Sequence, residues 1–177
     1  HEIYRRFKPQ LRRFERARRL QSEQPEDMRG SSIIILGMGR VGVGAYRYLT
    51  EAYGNIVVGV EENTSKIPPL RLKGMKVVHG DASDSDFWSL VKLQDIQLIL
   101  VNLTKHSENK AVCELVREMG YTGQLAAIAR HQDQLKELKD MGCITFNLYG
   151  EAGFGFAEHV HQTINRRKQG FSPADCT

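Results

Sequence analysis

Apolar positions along the chain form two patterns: short β-branched runs, and longer stretches in which apolar residues recur every three or four positions. The first pattern predicts buried strands and the second predicts amphipathic helices. We predict six strands, at residues 32–36, 56–60, 76–79, 97–101, 125–129 and 143–146. Because strands and helical stretches alternate, the predicted fold class is α/β, a Rossmann-like doubly wound parallel six-stranded sheet.

Two of the helical stretches indicate which side chains should face the sheet. After the first strand, four residues share one helical face: Val41, Ala45, Tyr48 and Leu49. After the fourth strand, the corresponding residues are Val112, Leu115, Val116 and Met119. We expect both of these faces to be buried.

The N-terminal segment, residues 1–30, differs from the rest in pattern. It predicts a basic amphipathic helix followed by a polar linker, and the apolar residues of one helix face are Ile3, Tyr4, Phe7, Leu11 and Phe14. Two interpretations of that face remain open. It packs on this domain or on a second copy of it, or the basic helix runs beside an anionic membrane surface. Because the chain begins at His1 rather than methionine, we expect it to be part of a longer protein.

The C-terminal segment, residues 147–177, predicts a helix at 151–167 and a frayed tail. Gly153 and Gly155 weaken the first turns of that helix, because glycine lowers helix propensity. The predicted organisation is therefore an N-terminal helix and linker, a Rossmann domain at residues 31–146, and a C-terminal helix and tail.

The formal net charge of +4 is concentrated at the N-terminus, where residues 1–20 carry +6 and the remainder carries −2. The predicted sheet therefore has no basic surface for a phosphate backbone, and we expect no nucleic-acid partner. The three cysteines are widely spaced, which predicts neither a disulfide framework nor a metal site. No apolar run approaches the roughly 20 residues that cross a bilayer, so we expect a soluble chain in a reducing compartment.

A glycine-rich loop follows the first predicted strand and precedes a predicted helix. Its residues are Gly37, Met38, Gly39, Arg40, Val41 and Gly42. Gly37 would permit the tight turn, Gly39 the approach of a phosphate, and Gly42 close packing of helix on strand. The helix N-terminus would supply amide donors and partial positive charge, and Arg40 would add a further contact.

An acidic residue follows the second predicted strand, where dinucleotide-binding folds place a carboxylate against the ribose hydroxyls. This residue is Glu61, and Glu62 and Asn63 follow it. A carboxylate there would repel a 2′-phosphate, and neither neighbour offers an arginine replacement. The sequence therefore disfavours the phosphorylated dinucleotide.

Two further loops should line the same crevice. Asp81 and Ala82 follow the third strand, where backbone polar groups would recognise the adenine. Asp81 would equally well cap the short helix that extends through Trp88. Asn102 and Thr104 follow the fourth strand. They would either close over the nucleotide or satisfy loop backbone groups.

The sequence shows no arrangement of residues that is typical of a catalytic site. A dehydrogenase needs a substrate site facing the nicotinamide, and most build it from a further domain. None of five tyrosines has a lysine four positions later, and His159 and His161 are two apart on a predicted helix, a poor spacing for a metal pair. We therefore expect a sensor and not an enzyme, with a small NAD-dependent oxidoreductase or an empty dimerisation module as alternatives.

Taken in order, these motifs resemble the RCK, or potassium-transport nucleotide-binding (TrkA-N), family. The resemblance covers residues 31–146 and rests on four motifs: the glycine loop, the acid after strand two, Gly80-Asp81-Ala82, and Ile128-Ala129-Arg130. Within the family the chain is most similar to the cytoplasmic domain of Kef-type glutathione-gated potassium-efflux antiporters.

The resemblance implies a homodimer on the cytoplasmic side of the cell membrane, which binds AMP or NAD(H) and regulates a transporter domain of the same or a partner chain. The positions that match the nucleotide site are Gly37, Gly39, Arg40, Glu61, Asp81 and Ala82. Arg130 matches an arginine near the glutathione site of the efflux systems. His131 and Gln132 stand where those systems have alanine and arginine.

Overall fold

The computed structural model describes residues 28–168, so the predicted N-terminal helix lies outside the described residues. A six-stranded sheet in the order β3-β2-β1-β4-β5-β6 runs through it, and every neighbouring pair is parallel. The strands are β1 (Ile33–Leu36), β2 (Val57–Glu61), β3 (Val77–His79), β4 (Leu98–Val101), β5 (Gln124–Ala129) and β6 (Ile144–Asn147). The predicted doubly wound fold is confirmed, and its strand order places the topological switch between β1 and β4.

Helices connect the strands in the expected alternation. They are α1 (Arg40–Tyr53), α2 (Ile67–Arg71), α3 (Ser85–Ser89), α4 (His106–Glu118), α5 (Gln132–Asp140) and α6 (Leu148–Lys168). Two 3₁₀ turns, Thr64–Lys66 and Leu93–Asp95, precede α2 and β4. The predicted last helix exists and begins three residues early, despite its two glycines.

The core forms one apolar cluster on each face of the sheet. On one face, α3, α4 and α5 cover residues such as Ile34, Val58 and Leu125. On the other, α1 and α2 cover Ile33 and Val57 with their neighbours. The alternation of adjacent strand residues between the two clusters follows from the two-residue period of a strand.

The predicted buried face of α1 was partly wrong. Tyr48 is 72% exposed, whereas Tyr46 is 6% exposed and its hydroxyl accepts a 2.7 Å hydrogen bond from the Lys76 backbone N–H. Gly42 is also buried, so the face that meets the sheet runs through Gly42 and Tyr46. Apolar spacing alone did not locate it because a glycine forms its centre.

Half of the second sheet face has no helix over it among residues 28–168. Parallel register places Ile35, Leu100, Ala126 and Ile144 in one row across the sheet. Exposure increases along that row from 0% at Ile35, under α1, to 58% at Ile144 on the edge strand. Residue Phe146 on the same strand is 49% exposed, so an apolar surface lies open beside β6.

Helix α6 extends this open surface. Its exposed apolar side chains are Tyr149, Phe154, Phe156, Val160 and Ile164. The last three are spaced by four residues and therefore share one helix face. None of the described helices is long and apolar enough to cross a membrane.

Candidate functional site

A crevice of about 560 Å³ opens at the carboxyl ends of the central strands, where doubly wound sheets bind ligands. Four loops form it, one after each of β1, β2, β3 and β4. Its lining comprises Gly37, Gly39, Val60, Glu61, Glu62, Asn63, Lys66, Gly80, Asp81, Ala82, Ser83, Asn102, Leu103, Thr104 and Glu108. Most of the residues predicted for the nucleotide site, together with Thr104, therefore line one cavity.

The first glycine of the loop makes the turn out of β1. Gly37 has a φ of +83°, in the left-handed region, and a Cβ there would lie 2.5 Å from the Asn102 carbonyl oxygen. The Asn102 side chain donates a hydrogen bond to the Gly37 carbonyl at 3.2 Å. This hydrogen bond holds the loop against the end of β4. The Asn102 side-chain amide is therefore used in fixing the loop.

The other two glycines serve different purposes. A Cβ on Gly42 would collide with the Gly37 carbonyl oxygen, so this glycine allows α1 to pack against the loop. Gly39 has an ordinary extended conformation, with φ −74° and ψ −166°, and a Cβ there would meet no atom within 4 Å. The fold therefore does not require glycine at position 39, and this residue lines the crevice.

Gly39 is also the N-cap of α1, and no side chain among the described residues caps this helix. The first turn contains no acidic residue. The amide groups of a helix's first turn lack partners within the helix, and they carry the positive end of the helix dipole. The loop therefore offers uncapped donors to an anion at the wall of the crevice.

Glu61 lies at the end of β2 and is only 6% exposed. Its Oε2 accepts a hydrogen bond from the Met38 backbone N–H at 3.0 Å, and its Oε1 accepts one from the Asn63 N–H at 3.1 Å. Lys66 Nζ lies 3.2 Å from the same Oε1. The carboxylate thus joins the glycine loop to the segment after β2, in the position predicted for a ribose ligand.

Sequence reasoning missed Lys66. It comes five residues after Glu61, and the 3₁₀ turn Thr64–Lys66 brings it back to the crevice. Asn63 stabilises that turn because its Oδ1 accepts hydrogen bonds from both the N–H and the hydroxyl of Ser65. The Asx pattern at Asn63 was the available sequence indication that the chain reverses there.

The loop after β3 shows which groups Asp81 binds within the protein. Asp81 Oδ1 accepts hydrogen bonds from the backbone N–H and hydroxyl of Ser83, at 2.8 and 2.6 Å. The N-cap of α3 is instead Asp84, which accepts from the Asp86 N–H at 3.0 Å. The helix-cap alternative for Asp81 was therefore wrong, and Asp81 lines the crevice. Ala82 is buried and its carbonyl accepts from the Trp88 indole at 2.7 Å.

A second residue that sequence reasoning missed is Asn109, in α4. It is fully buried, accepts a hydrogen bond from the Leu103 N–H at 2.8 Å and donates one to the Ile128 carbonyl at 3.2 Å. Asn109 therefore fixes the loop after β4 relative to the end of β5. A polar residue in an otherwise apolar helical face was the sequence feature that could have indicated it.

The remaining predicted contact residues do not line the crevice. Met38 is 3% exposed and its side chain packs on Gly59, so its side chain belongs to the core, while its backbone N–H binds Glu61. Arg40 and Val41 are exposed on the first turn of α1, and Gly42 is buried beneath them. Arg130 lies at the end of β5, where its N–H donates to Gln134 Oε1 at 2.9 Å.

Charge in the crevice is mixed. Glu108, in the first turn of α4, lies 2.9 Å from Lys105, and this hydrogen bond is the main reason why the pKa of Lys105 is raised. Glu61, Glu62 and Asp81 contribute further carboxylates, and Lys66 is a lining cation. No group of three or more histidine, cysteine or acidic side chains within residues 28–168 is arranged to hold a metal ion.

The buried thiols lie elsewhere. Cys113, in α4, and Cys143, just before β6, both belong to the core. A hydrogen bond between them raises the pKa of the Cys113 thiol and lowers that of Cys143.

A glycine-rich loop at a helix N-terminus, an acid at the end of β2 and this strand order define a Rossmann-type nucleotide-binding domain. Residues 33–146 match the family model of the TrkA-N domain. The chain belongs to the TrkA-N family. The comparison with curated protein sequences gives no match.

Solved structures share the fold. The NAD(P)-binding domain of an exopolyphosphatase-related protein from Archaeoglobus fulgidus is 19% identical with a TM-score of 0.66, over 75% of this chain and 98% of that one. The AMP-bound Kef CTD of Shewanella denitrificans is 19% identical with a TM-score of 0.64, over 76% and 82%. The GsuK channel bound to NAD is 24% identical with a TM-score of 0.58, over 71% and 22%.

Proposed function

We propose that this chain is a regulatory nucleotide-binding domain of a potassium transport system, which senses AMP or NAD(H) and regulates an attached membrane transporter. The observation that carries the proposal is the open space at Gly39. Glycine is not needed there by the fold, yet it stands at the uncapped N-terminus of α1 and on the crevice wall. A phosphate would fill that space and accept from the helix amides.

The proposed adenosine position follows from the rest of the crevice. With a phosphate at Gly39, a ribose would lie near Glu61 and an adenine near the loop that contains Asp81 and Ala82. The fold neighbours that carry AMP or NAD support this class of ligand.

We propose that two copies pair through the open surface beside β6 together with α6. The exposed residues Ile144 and Phe146 continue an apolar row that is buried at the other end of the sheet. The stripe Phe156, Val160 and Ile164 gives α6 an apolar face of its own. A second copy would cover both surfaces, and Arg130, at the neighbouring end of β5, is where we place the implied glutathione contact.

In the proposed mechanism, the nucleotide contacts loops from both halves of the sheet. Asn102 links the glycine loop to the end of β4, and Asn109 links the loop after β4 to the end of β5. Both strands lie on the side of the sheet that leads toward the open surface. A ligand that favours one arrangement of these loops would favour one arrangement of the paired domains. The basic segment at residues 1–30 would connect that arrangement to a transporter at the cytoplasmic face of the membrane.

Calorimetric titration of the full 177-residue chain with AMP, NADH, NADPH and ATP tests the ligand. We expect saturable binding of AMP or NADH with one site per chain. Binding of none of the four would refute the proposal. Turnover of a nicotinamide cofactor in a substrate screen would instead favour the oxidoreductase alternative, and glutathione added to the titration tests the contact at Arg130.

A further inference from the structure

We propose that Lys66 determines the selectivity of the site for the ribose. It would allow the site to bind a dinucleotide whose ribose carries a 2′-phosphate as well as one whose ribose hydroxyls are free. The inference rests on the proposed nucleotide site and names a selectivity residue within it. It also changes the expectation from sequence, in which Glu61 without a nearby arginine disfavoured the phosphorylated dinucleotide.

The acceptor positions of Glu61 are nearly all used. A carboxylate offers about four acceptor positions, two on each oxygen. The Asn63 N–H and Lys66 Nζ occupy Oε1, and the Met38 N–H occupies one position on Oε2. One position remains, whereas a ribose diol bound by both hydroxyls needs two. Lys66 therefore competes with a ribose hydroxyl for Glu61.

Lys66 is the donor that can leave. The Met38 and Asn63 contacts come from the backbone and are fixed by the fold. The side chain of Lys66 is 52% exposed, and half-exposed ion pairs of this kind contribute little to stability. A diol would displace the ammonium from Oε1, and the long side chain would then extend toward solvent at the crevice wall.

A 2′-phosphate would be attracted by Lys66, which also balances the charge of Glu61. Beside Lys66 the charge of Glu61 is balanced, so the repulsion expected from a lone carboxylate is reduced. The ammonium has three donors and uses one on Oε1, which leaves donors for a phosphate oxygen. Lys66 then supplies the cation that dinucleotide sites need for a 2′-phosphate.

The alternative is that Lys66 only positions Glu61. In that case its removal would weaken all adenosine ligands together. Our proposal predicts opposite changes for two ligands that differ by one phosphate. The ratio of the dissociation constants for NADPH and NADH is therefore the deciding quantity, since it is insensitive to a general loss of affinity.

The experiment uses calorimetric titration of the full chain with NADH and NADPH in the wild type, Lys66→Met and Lys66→Arg. We expect the wild type to bind NADPH within about tenfold of NADH. In Lys66→Met, loss of one charge-assisted contact should weaken NADPH binding about tenfold, while a freed acceptor on Glu61 makes NADH about twofold tighter. Lys66→Arg should retain NADPH binding.

Lys73→Ala is the matched control, since Lys73 is an exposed lysine in the turn between α2 and β3 and does not line the crevice. It should leave the ratio unchanged. The inference would be overturned if Lys66→Met changed the affinities for both dinucleotides equally or left both unchanged. A wild-type preference for NADH above about a hundredfold would also overturn it. Absence of nucleotide binding by the wild type would instead remove the proposed function on which it rests.

Discussion

The pair of variants Gly39→Ala and Gly42→Ala separates the fold from the ligand site. Both add one methyl group to the same loop. The methyl group added at position 39, on the crevice wall, would meet no protein atom within 4 Å, whereas the one added at position 42 would strike the Gly37 carbonyl oxygen. The first variant should therefore lose nucleotide binding and keep its stability, while the second should lose stability as well.

The magnitudes follow from the local geometry. At position 39, φ −74° is normal for alanine, so reduced freedom of the unfolded chain adds about 0.4–1 kcal/mol. Alanine is a poorer N-cap by a similar amount, and the free energy of unfolding should stay within about 1 kcal/mol of the wild type. At position 42, overpacking costs about 1–3 kcal/mol, against which better helix propensity returns at most about 1 kcal/mol.

The assays are urea unfolding followed by circular dichroism, and titration with AMP and NADH. A methyl group that keeps a phosphate from the helix amides removes charge-assisted hydrogen bonds, so Gly39→Ala should weaken binding about 10- to 100-fold. Wild-type affinity in Gly39→Ala would refute the phosphate position. A loss of stability in Gly39→Ala equal to that of Gly42→Ala would refute the geometry from which both predictions come.

Three further predictions use other parts of the structure. Burial raises the pKa of Tyr121 to about 12, so the folded protein keeps a proton that the unfolded chain loses near pH 10. The free energy of unfolding should therefore fall by about 2 kcal/mol between pH 10 and 12, and Tyr121→Phe should remove that fall in alkaline unfolding curves. Val160→Asp should shift sedimentation toward the monomer, whereas His159→Asp, on another helix face, should not; equal effects would exclude the apolar face of α6 as the contact. Glu61→Gln should weaken AMP and NADH binding at least about fivefold in the same titration, because an amide cannot accept at both positions, and unchanged affinity would argue against ribose at Glu61.

The central strands β1 and β2 were the most predictable, because each is an apolar, largely β-branched run that is buried on both faces, and the doubly wound order follows from right-handed crossovers. Helix faces were less predictable. The face of α1 is centred on Gly42, whose role depends on contact with the Gly37 carbonyl, and the buried tyrosine is the one whose hydroxyl meets the Lys76 N–H. Neither contact can be inferred from the spacing of apolar residues.

In the candidate site too, local features could be predicted from the sequence, whereas contacts between distant residues could not. Glycine spacing and the acid after β2 are local features, and both point to residues that line the crevice. The donors on Glu61 come from three places: the loop after β1, the Asn63 backbone and a 3₁₀ turn. The sequence does not show how many acceptor positions of the Glu61 carboxylate are free. In the folded chain three donors leave about one. Under our proposal ligand selectivity depends on this number, and Lys66, five residues after Glu61, would weaken the expectation drawn from Glu61 alone.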